Sequence, residues 1–164
     1  MSARNVNLQG DAGLGPEAVE QAKAALAKLP VLGPVIWLYG RDAGRRYAFI
    51  ADLDHLVLPP VLLDQCRIYF KSGVPWGYVS WAKVSDAVHG RLSGGVAKLA
   101  PHEWNSGGHP WIVDVVAPFG GASELVDEVR RTVFAGVTVH RLGATTQSAV
   151  EELPPLVPSG SPVH

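Results

Sequence analysis

Apolar residues recur along this chain with two different periods, and the change comes near Cys66. Before it the spacing is helical. Gly15-Pro16 opens an alanine-rich run through Lys28 that reads as a helix with proline in its first turn, only a mild apolar side, and an end at Pro30. Val31–Tyr39 reads as a second, short helix with Pro34 in its first turn and with Val35, Leu38 and Tyr39 on one face. Tyr47–Leu58 carries apolar residues at 49, 50, 53, 56 and 57, which predicts a third helix stopped by Pro59-Pro60. From Cys66 the chain alternates. Cys66–Lys71 and Trp76–Val84 flank a Ser72-Gly73 turn and predict a hairpin. Ser85 is placed to cap a short helix through Leu92, Ser93-Gly94-Gly95 breaks it, and residues 101–110 read as a polar loop.

Trp111–Gly121 organises the rest. Six of the seven residues from Trp111 to Ala117 are apolar and four are β-branched, the pattern of a central strand buried on both faces. Asp114 interrupts it. A carboxylate in such a strand must be paired, be hydrogen-bonded or bind its proton more tightly, and that suits a functional base and an ordinary loop-capping aspartate about equally. Pro118 and Gly120-Gly121 then break the strand, and residues 122–134 resume helical spacing with Leu125, Val126, Val129, Val133 and Phe134 on one face. A strand, a glycine turn and a helix start together present unpaired N–H groups suited to a phosphate, or else form a tight turn with no ligand. Gly136–Leu142 alternates like a closing strand, and the proline-rich residues from Thr145 read as an unpacked tail. Helices, hairpin, core strand, helix and strand in that order predict an α+β domain, with helices on an antiparallel or mixed sheet.

Composition narrows the class. With 164 residues there is one domain, expected over residues 16–144 between a flexible 1–15 and a flexible 145–164. Hydrophobic content of 47% and mean hydropathy of +0.12 indicate a core-rich fold. A net charge of −1 and a pI near 6.6 disfavour nucleic acid as a partner and supply no polybasic membrane anchor. No apolar run approaches a bilayer-spanning length, and no secretory leader is apparent. One cysteine, Cys66, reads as a small buried residue and fits a reducing cytoplasm. Exposed Trp and Val side chains on the hairpin leave a homodimer open.

Two polar stretches hold candidate chemistry. Gly40–Arg46 contains three arginines in a glycine-flanked loop, which serves either as a solvated surface or as a site for an acidic partner or phosphate. His102, Glu103 and His109 have neither a two-histidine helical spacing nor a cysteine pair, so no metal site is expected.

Beyond periodicity, particular words stand out. Leu32-Gly33 through Trp37-Leu38, Val57-Leu58-Pro59-Pro60 with Gln65, Tyr78-Val79-Ser80-Trp81-Ala82, Glu103-Trp104-Asn105-Ser106-Gly107, and Trp111 through Gly120 occur in one order across about residues 31–134. In these blocks the chain resembles the toxin-activating lysine acyltransferases, which attach fatty acyl groups to internal lysines of RTX toxins. The resemblance implies a fold similar to the GNAT acetyltransferases. It implies no permanently bound cofactor. The donor it implies is an acyl-phosphopantetheine thioester on acyl carrier protein, with acyl-coenzyme A as the other source, and the acceptor is a lysine or similar amine of an RTX-type toxin or smaller peptide. Phe119, Gly120, Gly121 and Ala122 would then face the phosphopantetheine arm, and Trp81, Trp111 and Arg46 the substrate. The family's catalytic aspartate falls on Asp114 and its catalytic histidine on Arg45.

The departure at Arg45 matters chemically. Transfer to lysine needs a neutral amine, a route for its proton and stabilisation of an oxyanion. Histidine takes a proton near neutral pH and arginine does not. Three outcomes are consistent with the sequence. Asp114 acts alone or through water, with Arg45 on the thioester carbonyl or a phosphate; another histidine such as His55 or His109 takes over; or the chain keeps only binding, as an acyl-carrier or polypeptide module. Retained transfer is favoured because Asp114, the Ala117–Gly121 loop and the Ser80-Trp81-Ala82 strand are intact.

Overall fold

A computed structural model of the chain describes residues 15–142 and 150–156. Five strands form one mixed sheet in sequential order: β1 (Cys66–Lys71), β2 (Val74–Val84), β3 (His109–Val116), β4 (Val139–Arg141) and β5 (Glu151–Leu153). The β1–β2, β2–β3 and β4–β5 pairs are antiparallel and β3–β4 is parallel. Helices α1 (Pro16–Ala27) and α2 (Leu29–Tyr39), with short α3 (Leu53–Leu56) and α4 (Leu58–Leu62), precede the sheet; α5 (Asp86–Ser93) follows β2, and α6 (Ala122–Thr132) follows β3. This mixed sheet flanked by helices is the GNAT-like arrangement expected.

The hairpin forms as read, because Ser72 and Gly73 both take positive φ, 50° and 77°, and that turn twists with its strands. Ser85 Oγ accepts the Val88 N–H and caps α5. On α6, Leu125, Val126 and Val129 are buried against Val79, Trp81 and Ile112 of the sheet, each contributing about 1.5–3 kcal/mol. The helix lies close over β2. At Gly77 a Cβ would overlap the Leu125 Cδ1 methyl, so any larger residue there displaces that leucine. On the opposite face, Val35, Leu38 and Tyr39 of α2 pack with Tyr78 and Val116. Farther along that face, Trp104 and Trp111 are fully buried with Ala82, Val84 and Leu92.

Several boundaries differ from expectation. Pro30 does not separate the first two helices but sits in the first turn of α2, leaving Pro34 inside that helix, where its missing N–H removes one backbone bond. Residues 47–58 are not one helix: Tyr47–Phe49 are non-helical, Ile50–Asp52 form a 3-10 turn, and Pro59-Pro60 lie in the first turn of α4 rather than stopping a helix. The 101–110 stretch is less polar than it looks, since Trp104 is 0% exposed. The tail is not wholly unpacked. Glu151–Leu153 pair with β4 as the edge strand, while residues 1–14, 143–149 and 157–164 lie outside those described.

Candidate active site

Asp114 reaches its position through a β-bulge. Ser80 pairs with Asp114, but the next residue of β2, Trp81, pairs with Ile112, so Val113 is an extra residue in β3. A bulge turns two consecutive side chains to one side. Ile112 therefore packs against α6, whereas Asp114 lies under α2. Pairing between β3 and β4 covers only Trp111 and Ile112. Where the strands part, Val113, Asp114 and Leu142 line a cavity of 410 Å³.

Two donors hold the Asp114 carboxylate, which is 6% exposed. Arg45 Nη2 donates to Oδ1, and the Tyr39 hydroxyl donates to Oδ2 at 2.5 Å. Tyr39 is the last residue of α2 and shares its buried face with Val35 and Leu38. Arg45 comes from the following turn, where Asp42 Oδ1 accepts the Gly44 and Arg45 N–H groups at 2.9 and 3.0 Å. That local Asx turn fixes the backbone from which the arginine reaches. Burial works to lower the Arg45 pKa, but the charge and hydrogen bond of Asp114 outweigh it and raise it. Tyr39 is pushed far above the ordinary phenol range, first by burial and then by Asp114, so it stays a donor at any working pH. Tyr39 and Arg45 also line a second cavity of 170 Å³, walled by Ile36, Phe49, Ile50 and Leu53. The Gly44–Ile50 segment lies between the two cavities, and Tyr47, Phe49 and Ile50 are 77%, 77% and 86% exposed along it.

The other sequence-predicted residues are spread more widely. Arg46 is exposed, lines the smaller cavity and lies over the Tyr47 ring. Trp81 and Trp111, expected to meet substrate, are 5% and 0% exposed and serve the core: Trp81 packs edge-on to Phe134 under α6, and Trp111 Nε1 donates to His89 Nδ1. Phe119 packs on Trp37 and Trp76 at centroid distances of 6.1 and 5.0 Å, with Arg41 and Lys71 over the two indoles. Gly120 and Gly121 take φ of 91° and 84°, and no side chain caps α6, which begins at Ala122. The N–H groups of its first turn therefore have no side-chain cap, and Glu124 sits in that same turn.

Neither candidate histidine lines the walls of these cavities. His55 lies 4.0 Å from Asp52, which does line the larger one. His109 is five residues before Asp114 on β3, about 17 Å away at the rise of a strand. It pairs with Asp86 at 2.6 Å and stacks on His89, which in turn meets His140. Glu103 is engaged by Arg91 and by the Ala100 N–H. Cys66 is pushed up to about 11 by burial and is an unreactive thiol. Sequence reasoning missed Tyr39 as a site residue. The available signal was a phenol on the apolar stripe of α2, since a buried tyrosine hydroxyl needs a partner.

Asp114 on the central strand and Arg45 in the turn after α2 thus lie in contact, joined by Tyr39. Residues 24–152 match the HlyC, or RTX toxin acyltransferase, family. This chain belongs to that family. Relatives include the lysine-acyltransferase RtxC of Vibrio cholerae, 32% identical over 117 residues that cover 70% of this chain and 76% of the relative. The RTX-II toxin-activating lysine-acyltransferase ApxIIC of Actinobacillus pleuropneumoniae is 33% identical over 62% of this chain and 63% of its own. The protein-lysine myristoyltransferase RtxC of Kingella kingae is 26% identical over 67% and 66%. Acyl transfer is the activity that this family membership gives the chain. No single helix among the described residues is long and apolar enough to cross a membrane.

Proposed function

We propose that this protein transfers a fatty acyl group from an acyl-carrier-protein thioester to a lysine side chain of an RTX-type polypeptide or a smaller peptide, in the cytoplasm. The observation that carries the reading is a buried carboxylate, Asp114, held by Arg45 and Tyr39 where two cavities meet. The neutral amine attacks the thioester carbonyl carbon, the tetrahedral oxyanion collapses, and the C–S bond breaks. Asp114 accepts the proton lost by the amine, directly or through water, and the departing sulfur is protonated to a thiol. Arg45 anchors the carboxylate, and the N–H groups of its fork not engaged by Asp114 supply positive charge beside the carbonyl oxygen. The apolar cavity beside Ile36, Ile50 and Leu53 suits the acyl chain, and the carboxylate-lined one suits the amine. Phe119–Ala122 receive the phosphopantetheine arm, with the backbone N–H groups of the glycine turn toward its phosphate.

The test is Asp114→Asn, with the acceptor co-expressed and weighed intact. Loss of a positioned proton acceptor lowers transfer by about 10²–10⁴-fold. Undiminished acylation by the Asn variant sinks the assignment of Asp114. An unchanged cellular effect with no acylated acceptor in either form supports instead a binding module, a reading favoured only by Arg45 being spent on Asp114.

A further inference from the structure

Two phenols, Tyr39 at the end of α2 and Tyr78 on β2, lie side by side, and only Tyr39 bonds the Asp114 carboxylate. Tyr39 and Tyr78 meet edge to face at 6.4 Å between ring centroids. Tyr78 is fully buried, and its hydroxyl lies near Ser80 and Cys66 rather than against Asp114. The Tyr39 hydroxyl instead meets Asp114 Oδ2. An aspartate has two rotatable side-chain bonds, so one donor leaves its carboxylate free to turn about that contact. Arg45 on Oδ1 and Tyr39 on Oδ2 remove that freedom, and they do so from separate anchors: the sheet-facing end of α2 and the Asx turn built on Asp42. Tyr39 also belongs to the walls of both cavities, so its ring is part of the partition between them.

We propose that Tyr39 is a positioning residue for acyl transfer, fixing which edge of the Asp114 carboxylate faces the incoming amine. The proposal rests on Asp114 being the proton acceptor. The other titratable groups around the carboxylate are Arg45, Asp42 at 3.8 Å from the guanidinium, Asp52 in the wall of the larger cavity and Tyr78 of β2. Of these, only Arg45 hydrogen-bonds the carboxylate. Tyr39→Phe keeps the ring and deletes the donor; Tyr78→Phe deletes a neighbouring hydroxyl that makes no hydrogen bond to Asp114 and is the matched control.

The experiment has two arms on the full chain. In the first, transfer rates are measured with a myristoyl thioester of acyl carrier protein and a recombinant RTX toxin. Tyr39→Phe lowers kcat tenfold or more with the donor KM within twofold, and it moves the acid limb of the pH profile upward, because a hydrogen bond to the charged carboxylate is lost. Tyr78→Phe does neither. In the second arm, the Asp114 carboxyl carbon is followed by NMR titration in 13C-aspartate-labelled protein, which needs no acceptor. Its midpoint rises in Tyr39→Phe and stays in Tyr78→Phe. Equal midpoints in all three proteins overturn the proposal, as does an unchanged rate profile in Tyr39→Phe. If the unsubstituted protein transfers nothing, the acyl-transfer reading fails separately and the titration alone decides the hold of Tyr39 on Asp114. If Tyr39→Phe does not fold, 3-fluorotyrosine at position 39 strengthens the donor at constant shape; a downward shift then supports the proposal, and no shift overturns it.

Discussion

Replacing Arg45 with histidine restores the residue that the family resemblance places there and asks what a base at this position is worth. The guanidinium makes a charge-assisted hydrogen bond to a carboxylate that is 7% exposed, while the arginine itself is 38% exposed. Hydrogen bonds to charged groups contribute about 1.5–3 kcal/mol. Water reaches the arginine side of the pair, and that screening reduces the loss to about 1–2 kcal/mol. For a chain of this size the corresponding fall in Tm is about 2–8 °C. The loss depends on pH, and its sign follows from the partner. An imidazole beside Asp114 gains from being charged, so its folded pKa rises above the unfolded value near 6.5. Its stabilisation is fully present below that value and disappears as pH climbs through the folded pKa. The Tm deficit of Arg45→His is therefore small at pH 5.5 and full at pH 8.5.

Activity moves the other way. The Asx turn fixes the Arg45 backbone, and imidazole is shorter than arginine, so the histidine reaches Asp114 through water rather than directly. A positioned general base gives about 10²–10⁴-fold, and the imperfect reach trims the expected gain in kcat to about tenfold at pH 7–8. Initial rates with the carrier thioester and a purified toxin, alongside thermal melts, check both halves. If the melts follow the stated pH dependence and the rate is flat or lower from pH 6 to 9, a base at this position does not limit transfer, and the mechanism based on Arg45 anchoring stands without it.

Other consequences are read from single measurements. Asp114→Asn lowers acylation of the co-expressed acceptor to about 1% of the parent or less, on the general-base magnitude of about 10²-fold or more, by intact mass. Tyr39→Phe slows turnover and shifts the acid limb, while Tyr78→Phe leaves both alone. His89 is held below its ordinary pKa by burial and by the neighbouring His109 and His140 imidazoles, with Asp86 opposing. The unfolded chain then binds more protons than the folded one below pH 6.5, so stability falls as pH drops from 7 to 5; His89→Phe flattens that slope in urea titrations, and an unaltered slope refutes the assignment. Gly77→Ala forces a methyl into Leu125 and destabilises by about 1–3 kcal/mol, visible as a lower urea midpoint at unchanged m-value.

How legible the fold was depended on whether local chemistry dictated it. The Ser72-Gly73 turn, the Ser85 cap and the α6 stripe are each set by residues within one element, and each forms as read. Prolines were ambiguous, because the same residue that ends one helix opens the next: Pro30 and Pro59 both lie in first turns. The edge strand β5 has no apolar alternation to announce it, since Glu151 and Glu152 are exposed and the pairing with β4 is supplied from outside the segment.

Asp114 combines both situations. Its residue type, in an apolar β-branched run, marked it as a candidate in the sequence, but alternation alone would have put it on the side of Ile112, under α6, because residues two apart share a face. There it would meet Leu125, Val126 and Val129 and no donor. The extra residue Val113 carries it to the other side, where Tyr39 and Arg45 wait at 75 and 69 residues' separation in the chain. Neither partner is encoded near it, and no periodicity in 111–117 predicts the bulge. Pairing across the β2–β3 ladder decides which layer receives the charge, and the geometry of the candidate site follows from that one-residue offset.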